Sequence, residues 1–281
     1  MLTLPPLFVV FWIFLFGLVL GSFFNVVIYR LPLRQSIVSP RSSCTSCGVP
    51  IKSYDNIPVL SYVLLRGRCR NCGERISPIY PAVELLVGLL YVGLYLIYGL
   101  TPVFLANVIF VSFIVPLVFI DLEHKLLPDR LTYPGFVVML IVRVLVPYEP
   151  IVSHTRNLFD LATWPDYGVQ LVASAMGALA GGGSLWFVSK AYYLVRKVEG
   201  MGGGDVKMML MVGVFLGWQL TVVNLFIATV FGSVIGILVA KIKGSSLKKT
   251  EIPFGAFLGP GAIAALLIGQ QLIAWYLGRY H

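Results

Sequence analysis

Long apolar stretches follow one another so closely along this chain that they decide what it can fold into. Runs at about 7–29, 80–99, 103–120, 131–147, 168–189, 206–217, 219–240 and 257–277 mostly approach the roughly 17–25 residues a helix needs to cross a bilayer. Composition points the same way: 58% hydrophobic residues, only 12% charged and a mean hydropathy of +0.89 exclude an ordinary soluble domain. The first run has no small-residue cleavage site after a short core and continues into GSFFNVVIYRLP, so it reads as a retained anchor.

Residues 206–240 could form one overlong helix or two short spans turning at Gly217, Trp218 and Gln219, and charge decides between them. With an external N-terminus, the segments 30–79, 121–130, 190–207 and 241–256 face the cytoplasm and hold all 21 Lys and Arg residues except Arg143, Arg156 and Arg279. A single span at 206–240 would put Lys241, Lys243, Lys248 and Lys249 outside, against the positive-inside bias, so two spans are expected and both termini lie outside. The same rule accounts for the net charge of +9, which therefore implies no nucleic-acid partner. The expected partners include membrane lipids. The external segment 148–167 is expected to be a connector, with Tyr148, Trp164 and Tyr167 at the interface. Gly177, Gly181, Gly182 and Gly183 are expected to let helices approach closely.

The one long polar loop, 30–79, contains all four cysteines. They form two CxxC pairs, Cys44/Cys47 and Cys69/Cys72, separated by the 21 residues 48–68 and each followed by glycine, in CTSCG and CRNCG. That is the spacing of a zinc ribbon: the two-residue spacers bend both thiolates round one ion, and Gly48 and Gly73 permit the turn. Two disulfides or a thiol relay are the competing reading, disfavoured in a reducing cytoplasm. A closed four-thiolate site leaves no position for water, so this zinc is expected to be structural. The fold class is thus an all-α polytopic membrane protein, about eight transmembrane helices with a small cytoplasmic zinc-ribbon-like loop domain. Its parts are an anchor (1–29), the cysteine loop (30–79) and a membrane bundle (80–281).

Asp121 and Asp205 each stand where an apolar run breaks off, in FIDLEHKLLPD and GMGGGDVKMM. A carboxylate costs roughly 2.5–3.5 kcal/mol at a bilayer centre, so one near a span calls for a task or a partner. The topology puts both at the cytoplasmic edge, where they could meet. Two carboxylates in contact cannot both ionise cheaply; the ionised one can activate water while the protonated one donates to a peptide carbonyl. Gly200, Gly202, Gly203 and Gly204 leave the backbone beside Asp205 open to a substrate, although such a run also suits a hinge, and it lacks P-loop spacing. Lys207 could tune an acid, His124 lies one helical turn from Asp121, and Asp129 is placed as an N-cap after Pro128.

Taken together, GSFFNVVIYRLP, the two CxxC pairs, SPIYPAVELL, IDLEHKLLPDRLTYP, GMGGGDVK and EIPFGAFLGPG resemble, in order, the motifs of the bacterial type IV prepilin peptidase/N-methyltransferases, members of the GxGD aspartyl proteases. Ala256 stands where many members have proline. The resemblance implies that Asp121 and Asp205 are catalytic. It implies cleavage of prepilin or pseudopilin leaders at the cytoplasmic face of the inner membrane, between glycine and a hydrophobic residue, for type IV pili or type II secretion. It also implies S-adenosylmethionine-dependent methylation of the new amino terminus. By position in the matching motifs, Gly21, Asn25, Arg30, Tyr80 and Glu84 are candidates for the methyl-donor site, with Glu84 alternatively paired to Arg30; no GxGxxG marks a nucleotide pocket there. Asp55, Glu74, Glu123 and Asp129 are candidates to receive basic leader residues. Two other readings are a peptidase without methyltransferase activity and a proton-coupled transporter using the two acids. The transporter calls for acids near the midplane rather than at an edge.

Overall fold

The computed structural model describes residues 5–198, 202–242, 253–276 and 278. Gly200, Lys243, Lys248, Lys249 and Arg279, which enter the glycine run and the charge argument, lie outside the described residues. Ten α-helices follow one another among the described residues: α1 (Pro6–Arg30), α2 (Leu60–Leu64), α3 (Ile79–Tyr98), α4 (Pro102–His124), α5 (Asp129–Leu145), α6 (Glu149–Phe159), α7 (Asp166–Ala178), α8 (Ser184–Arg196), α9 (Gly203–Ile242) and α10 (Gly255–Tyr276). A π-helical turn, Leu179–Gly183, joins α7 to α8 as one apolar length, and no strand is present among the described residues. Six helical lengths are long and apolar enough to cross a membrane, or seven if α5 and α6, bent by 81°, count as one broken span. This is a multi-pass membrane protein; length and composition alone do not count the expected eight spans, because α5 has only 17 residues and the two arms of α9, separated at Gly217, run together as one apolar length.

The chain divides into two compact units, Met1–Pro116 and Leu117–His281. In the first, α1 packs along α3 through glycine. A Cβ on Gly17 would lie 2.6 Å from the Gly88 Cα, and one on Gly21 2.6 Å from the Glu84 Cα, so the two backbones touch. Asn25 Nδ2 donates to the Tyr80 carbonyl at 3.0 Å, tying the lower end of α1 to the start of α3. Between these helices the cysteine loop forms two knuckles of the same design. In each, the glycine N–H returns to the first cysteine's carbonyl at 2.9 Å, and Gly48 and Gly73 take φ of +71° and +72°, a conformation that favours glycine.

In the second unit, α5, α7 and α10 surround α9. Gly217 breaks α9 with φ +70° and ψ 172°, and Asn224 Nδ2 lies 3.5 Å from the Met209 sulfur, 15 residues earlier. In a straight helix those residues would stand about 22 Å apart. The chain therefore folds back at Gly217, the turning point expected from the sequence. Gly177 and Gly213 meet backbone to backbone, and Gly181 and Gly182 lie against Met209 and Leu210, so these glycines let α7 and its π turn press onto α9. Gly183 takes no such part: among the described residues a Cβ there would meet only Leu179 of its own turn, at 3.7 Å.

Two expectations change here. Segment 148–167 is more than a connector, for α6 buries Ile151 and Val152 and sets Ile151 beside Gly217. Arg143 is no external loop charge. It is buried, its Nε donates to the Phe215 carbonyl at 2.8 Å, and its guanidinium lies 3.7 Å from the Phe215 ring centroid. The break at Gly217 leaves carbonyls at the end of the first arm without helical donors, and an arginine satisfies one of them.

Candidate active site

Three elements of the second unit bring the two aspartates together. Asp121 sits in the last turn of α4 and Asp205 in the first turn of α9, and both are buried, at 4% and 9% exposure. The start of α10 lies over them. A Cβ on Gly255 would fall 2.7 Å from Asp121 Oδ2 and 3.1 Å from Asp205 Oδ1, so both carboxylates open onto the same small volume. The Ala256 N–H donates to Asp121 Oδ2 at 2.9 Å, the Gly255 N–H is directed at Asp205, and the carboxylates are close enough to repel one another. The first amides of a helix are free of intrahelical partners and positively polarised, so one helix end holds both acids.

Leu127 closes the site from the side, packing its Cβ against Gly204 and its Cδ1 against Gly255. Among the described residues, a Cβ on Gly202 would meet only Asp205 Oδ2, at 3.8 Å, and one on Gly203 nothing within 4 Å. Sequence reasoning missed Leu127 and the two amides. Their only trace is in the flanking motifs, because a backbone donor leaves no residue type to read. Ala256 sharpens the point: proline there would have no N–H, whereas this alanine supplies a hydrogen bond to Asp121.

Several neighbours differ from expectation. Lys207 pairs with Asp129 at 2.6 Å and lies 5.1 Å from the Tyr133 ring centroid, so its charge is directed at α5 rather than at the acids. Asp129 is not an N-cap; it begins α5 after Pro128 and uses its carboxylate on Lys207. Arg70 binds both oxygens of Asp55, at 2.7 to 3.1 Å. Of the four acids offered to a basic leader, Asp55 and Asp129 are thus already neutralised.

In the first unit the four cysteine sulfurs lie within 4.8 Å of one another, and those of Cys44 and Cys72 are 3.8 Å apart. A tetrahedral ion with metal–sulfur distances of about 2.3 Å sets its sulfurs roughly 3.8 Å apart, so Cys44, Cys47, Cys69 and Cys72 could hold a metal. None of the four is in a disulfide, and Asn71 Nδ2 lies 3.6 Å from the Cys47 sulfur as an outer donor. The backbone N–H groups of Cys47 and Ser46 pull the Cys44 thiol down to about 6. For Cys72 the Glu74 N–H pulls the other way, but desolvation and hydrogen bonds with the Cys69, Cys47 and Cys44 sulfurs leave it raised to about 12.

The remaining candidates gather where α1 and α3 touch. Gly21 packs on Glu84, Asn25 holds Tyr80, and Glu84 Oε2 accepts the Val59 N–H at 2.7 Å while Ser22 also bonds the carboxylate. Arg30 does not pair with Glu84; its guanidinium donates to the carbonyls of Ser36 and Arg41, at 3.0 and 3.4 Å.

Residues 15–98 match the bacterial peptidase A24 N-terminal domain, and residues 108–237 match the type IV leader peptidase family. Among curated proteins, the prepilin leader peptidase/N-methyltransferase of Aeromonas salmonicida is 36% identical over 292 aligned residues, covering 94% of this chain and 92% of the relative. The proteins of the same name from Myxococcus xanthus and Legionella pneumophila are 40% and 33% identical, covering 88% and 95% of this chain and 67% and 93% of themselves. No solved structure matches the chain. With the acids, cysteines and flanking motifs all in place on a multi-pass helical frame, and with identities of this size over most of each relative, the chain belongs to the type IV prepilin leader peptidase family.

Proposed function

We propose that the protein is an aspartyl peptidase of the inner membrane that removes prepilin or pseudopilin leaders and methylates the exposed amino terminus. The observation that carries the peptidase reading is the shared volume at Gly255, onto which Asp121 and Asp205 both open beneath the first amides of α10. One carboxylate takes a proton from water, the other donates to the scissile carbonyl, and the roles reverse as the tetrahedral intermediate collapses and the amine leaves. The substrate backbone approaches over Gly202 and Gly203, where a Cβ would meet no side chain but that of Asp205 among the described residues. Basic leader residues meet Glu123, exposed on α4 two residues from Asp121. The orientation supported by charge has the cysteine loop in the cytoplasm and both termini outside.

For the cysteine loop we infer a structural zinc ion held by Cys44, Cys47, Cys69 and Cys72, supported by the sulfur separations and the softness of a four-thiolate set. Metal analysis of the purified protein checks it; four free thiols with no zinc would overturn it. For the methyl donor, Glu84 is a buried carboxylate with no Lys or Arg paired to it among the described residues, which suits a sulfonium cation. S-adenosylmethionine, when bound, supplies the methyl group. Glu84 then orients the positive centre, Asn25 and Tyr80 hold the end of α1 against α3, and Gly21 keeps the helices in contact.

The test is incubation of the protein in lipid with a prepilin and S-adenosylmethionine, followed by product mass. Wild type gives a cleaved, methylated chain. Asp121→Asn and Asp205→Asn each lose cleavage by about 10²–10⁴-fold. Cleavage that survives in both variants would falsify the dyad. Glu84→Gln keeps cleavage and loses methylation; methylation at the wild-type rate removes Glu84 from the donor site.

A further inference from the structure

Outside both candidate sites, the first unit carries a cleft of about 530 Å³ lined by Tyr62, Arg66, Gly67, Arg68, Arg75, Ile76, Ser77 and Pro78. Three of the chain's arginines face one opening, and none of them forms an ion pair among the described residues, in contrast to Arg70, which binds Asp55. The cleft is built rather than accidental. Arg68 and Arg75 face each other in an antiparallel bridge, the Ile76 N–H donates to the Gly67 carbonyl at 2.8 Å, and the Tyr62 side chain packs over Gly67. Like charges held side by side repel, so this arrangement is stable only with an anion or abundant solvent between them.

Two further features say which anion. The cleft ends at Ser77 and Pro78, and the next residue, Ile79, begins the apolar helix α3, so the arginines stand at the level where a membrane span starts. Helix α2, which contributes Tyr62, exposes Leu60, Val63 and Leu64 at 51%, 63% and 71%. A soluble anion has no use for these side chains. A phospholipid offers an anionic headgroup and acyl chains together, and arginine's fork matches phosphate oxygens bidentately.

We propose that the Tyr62–Pro78 cleft binds the phosphate headgroup of an anionic phospholipid, with Leu60, Val63 and Leu64 of α2 resting among its acyl chains. The site pins the cysteine loop to the membrane surface next to the start of α3. It does not depend on the activity proposed above.

Native mass spectrometry of the full chain in detergent, titrated with phosphatidylglycerol, with phosphatidylcholine or with inorganic phosphate, tests it. Wild type should retain one phosphatidylglycerol at about tenfold lower concentration than phosphatidylcholine, given the attraction of basic clusters for anionic headgroups. The triple variant Arg66→Ala/Arg68→Ala/Arg75→Ala should lose that preference, whereas Lys190→Ala/Lys197→Ala should keep it. Because Arg68 and Arg75 flank the cysteine knuckles, Arg66→Asn is the milder variant. Asparagine tolerates the positive φ of 53° at that position, and the preference should fall several-fold with metal content unchanged. An equal preference in wild type and both cleft variants overturns the proposal. So does displacement of the lipid by millimolar inorganic phosphate, which would make the cleft a site for soluble anions.

Discussion

At the scale of single residues, the site depends on what is missing as much as on what is present. Gly255 leaves empty the position where a Cβ would press on both carboxylates. Gly255→Ala should therefore lower kcat for leader cleavage about a hundredfold with little change in KM, as expected when reacting groups shift by a fraction of an ångström; single-turnover cleavage measures it. Ala256→Pro removes the N–H on Asp121 without forbidding a helical first turn. A hydrogen bond to a charged group contributes about 1.5–3 kcal/mol, so kcat/KM should fall about ten- to a hundredfold while thermal stability barely moves. The cysteines make a prediction of opposite kind. In metal-free protein the Cys47 and Ser46 N–H groups hold Cys44 below the ordinary thiol range, whereas desolvation and the neighbouring sulfurs hold Cys72 above it. The reactive form exists above the thiol's own titration point, so iodoacetamide at pH 7 should label Cys44 well before Cys72 in peptide mass maps. The acids were legible as residues because a carboxylate at the end of an apolar run is costly. The amides of Gly255 and Ala256, supplied by the backbone, were not.

At the scale of elements, α9 shows how one residue turns a 40-residue apolar helix into two packed arms. Gly217 takes a φ/ψ combination essentially closed to side chains, and a Cβ there would also meet Ile151 at 3.0 Å. Gly217→Ala should cost about 1–3 kcal/mol and lower the Tm of the protein in detergent, while leaving the cysteine loop's metal content unchanged. Arg143 belongs to the same device, because its Nε satisfies the Phe215 carbonyl freed by the turn. The turning point was readable from a charge argument, since Lys241 and its neighbours could not be left outside. The role of Arg143 was not, because a lone arginine near a span end looks like a topogenic charge until the carbonyl it serves is seen.

At the scale of the whole molecule, each unit builds its site from its own residues: the cysteines and Glu84 lie before Pro116, and Asp121, Asp205 and Gly255 after it. Replacing all four cysteines with serine should abolish metal binding and reduce methylation while leaving leader cleavage within several-fold of wild type, read by product mass. Loss of both activities together would mean that the peptidase needs the metal-bound loop. The sequence by itself determined the membrane-spanning helical class, the two cysteine knuckles and the two acids, because hydrophobic length, ligand spacing and the cost of an intramembrane charge are local properties of a chain. Only the tertiary structure decided that Asp121 and Asp205 meet under the start of α10, that Lys207 turns to Asp129, and that α6 packs against the turn of α9. Those facts depend on which residues far apart in sequence come within a few ångströms, and close packing of helices settles that through the whole set of contacts at once.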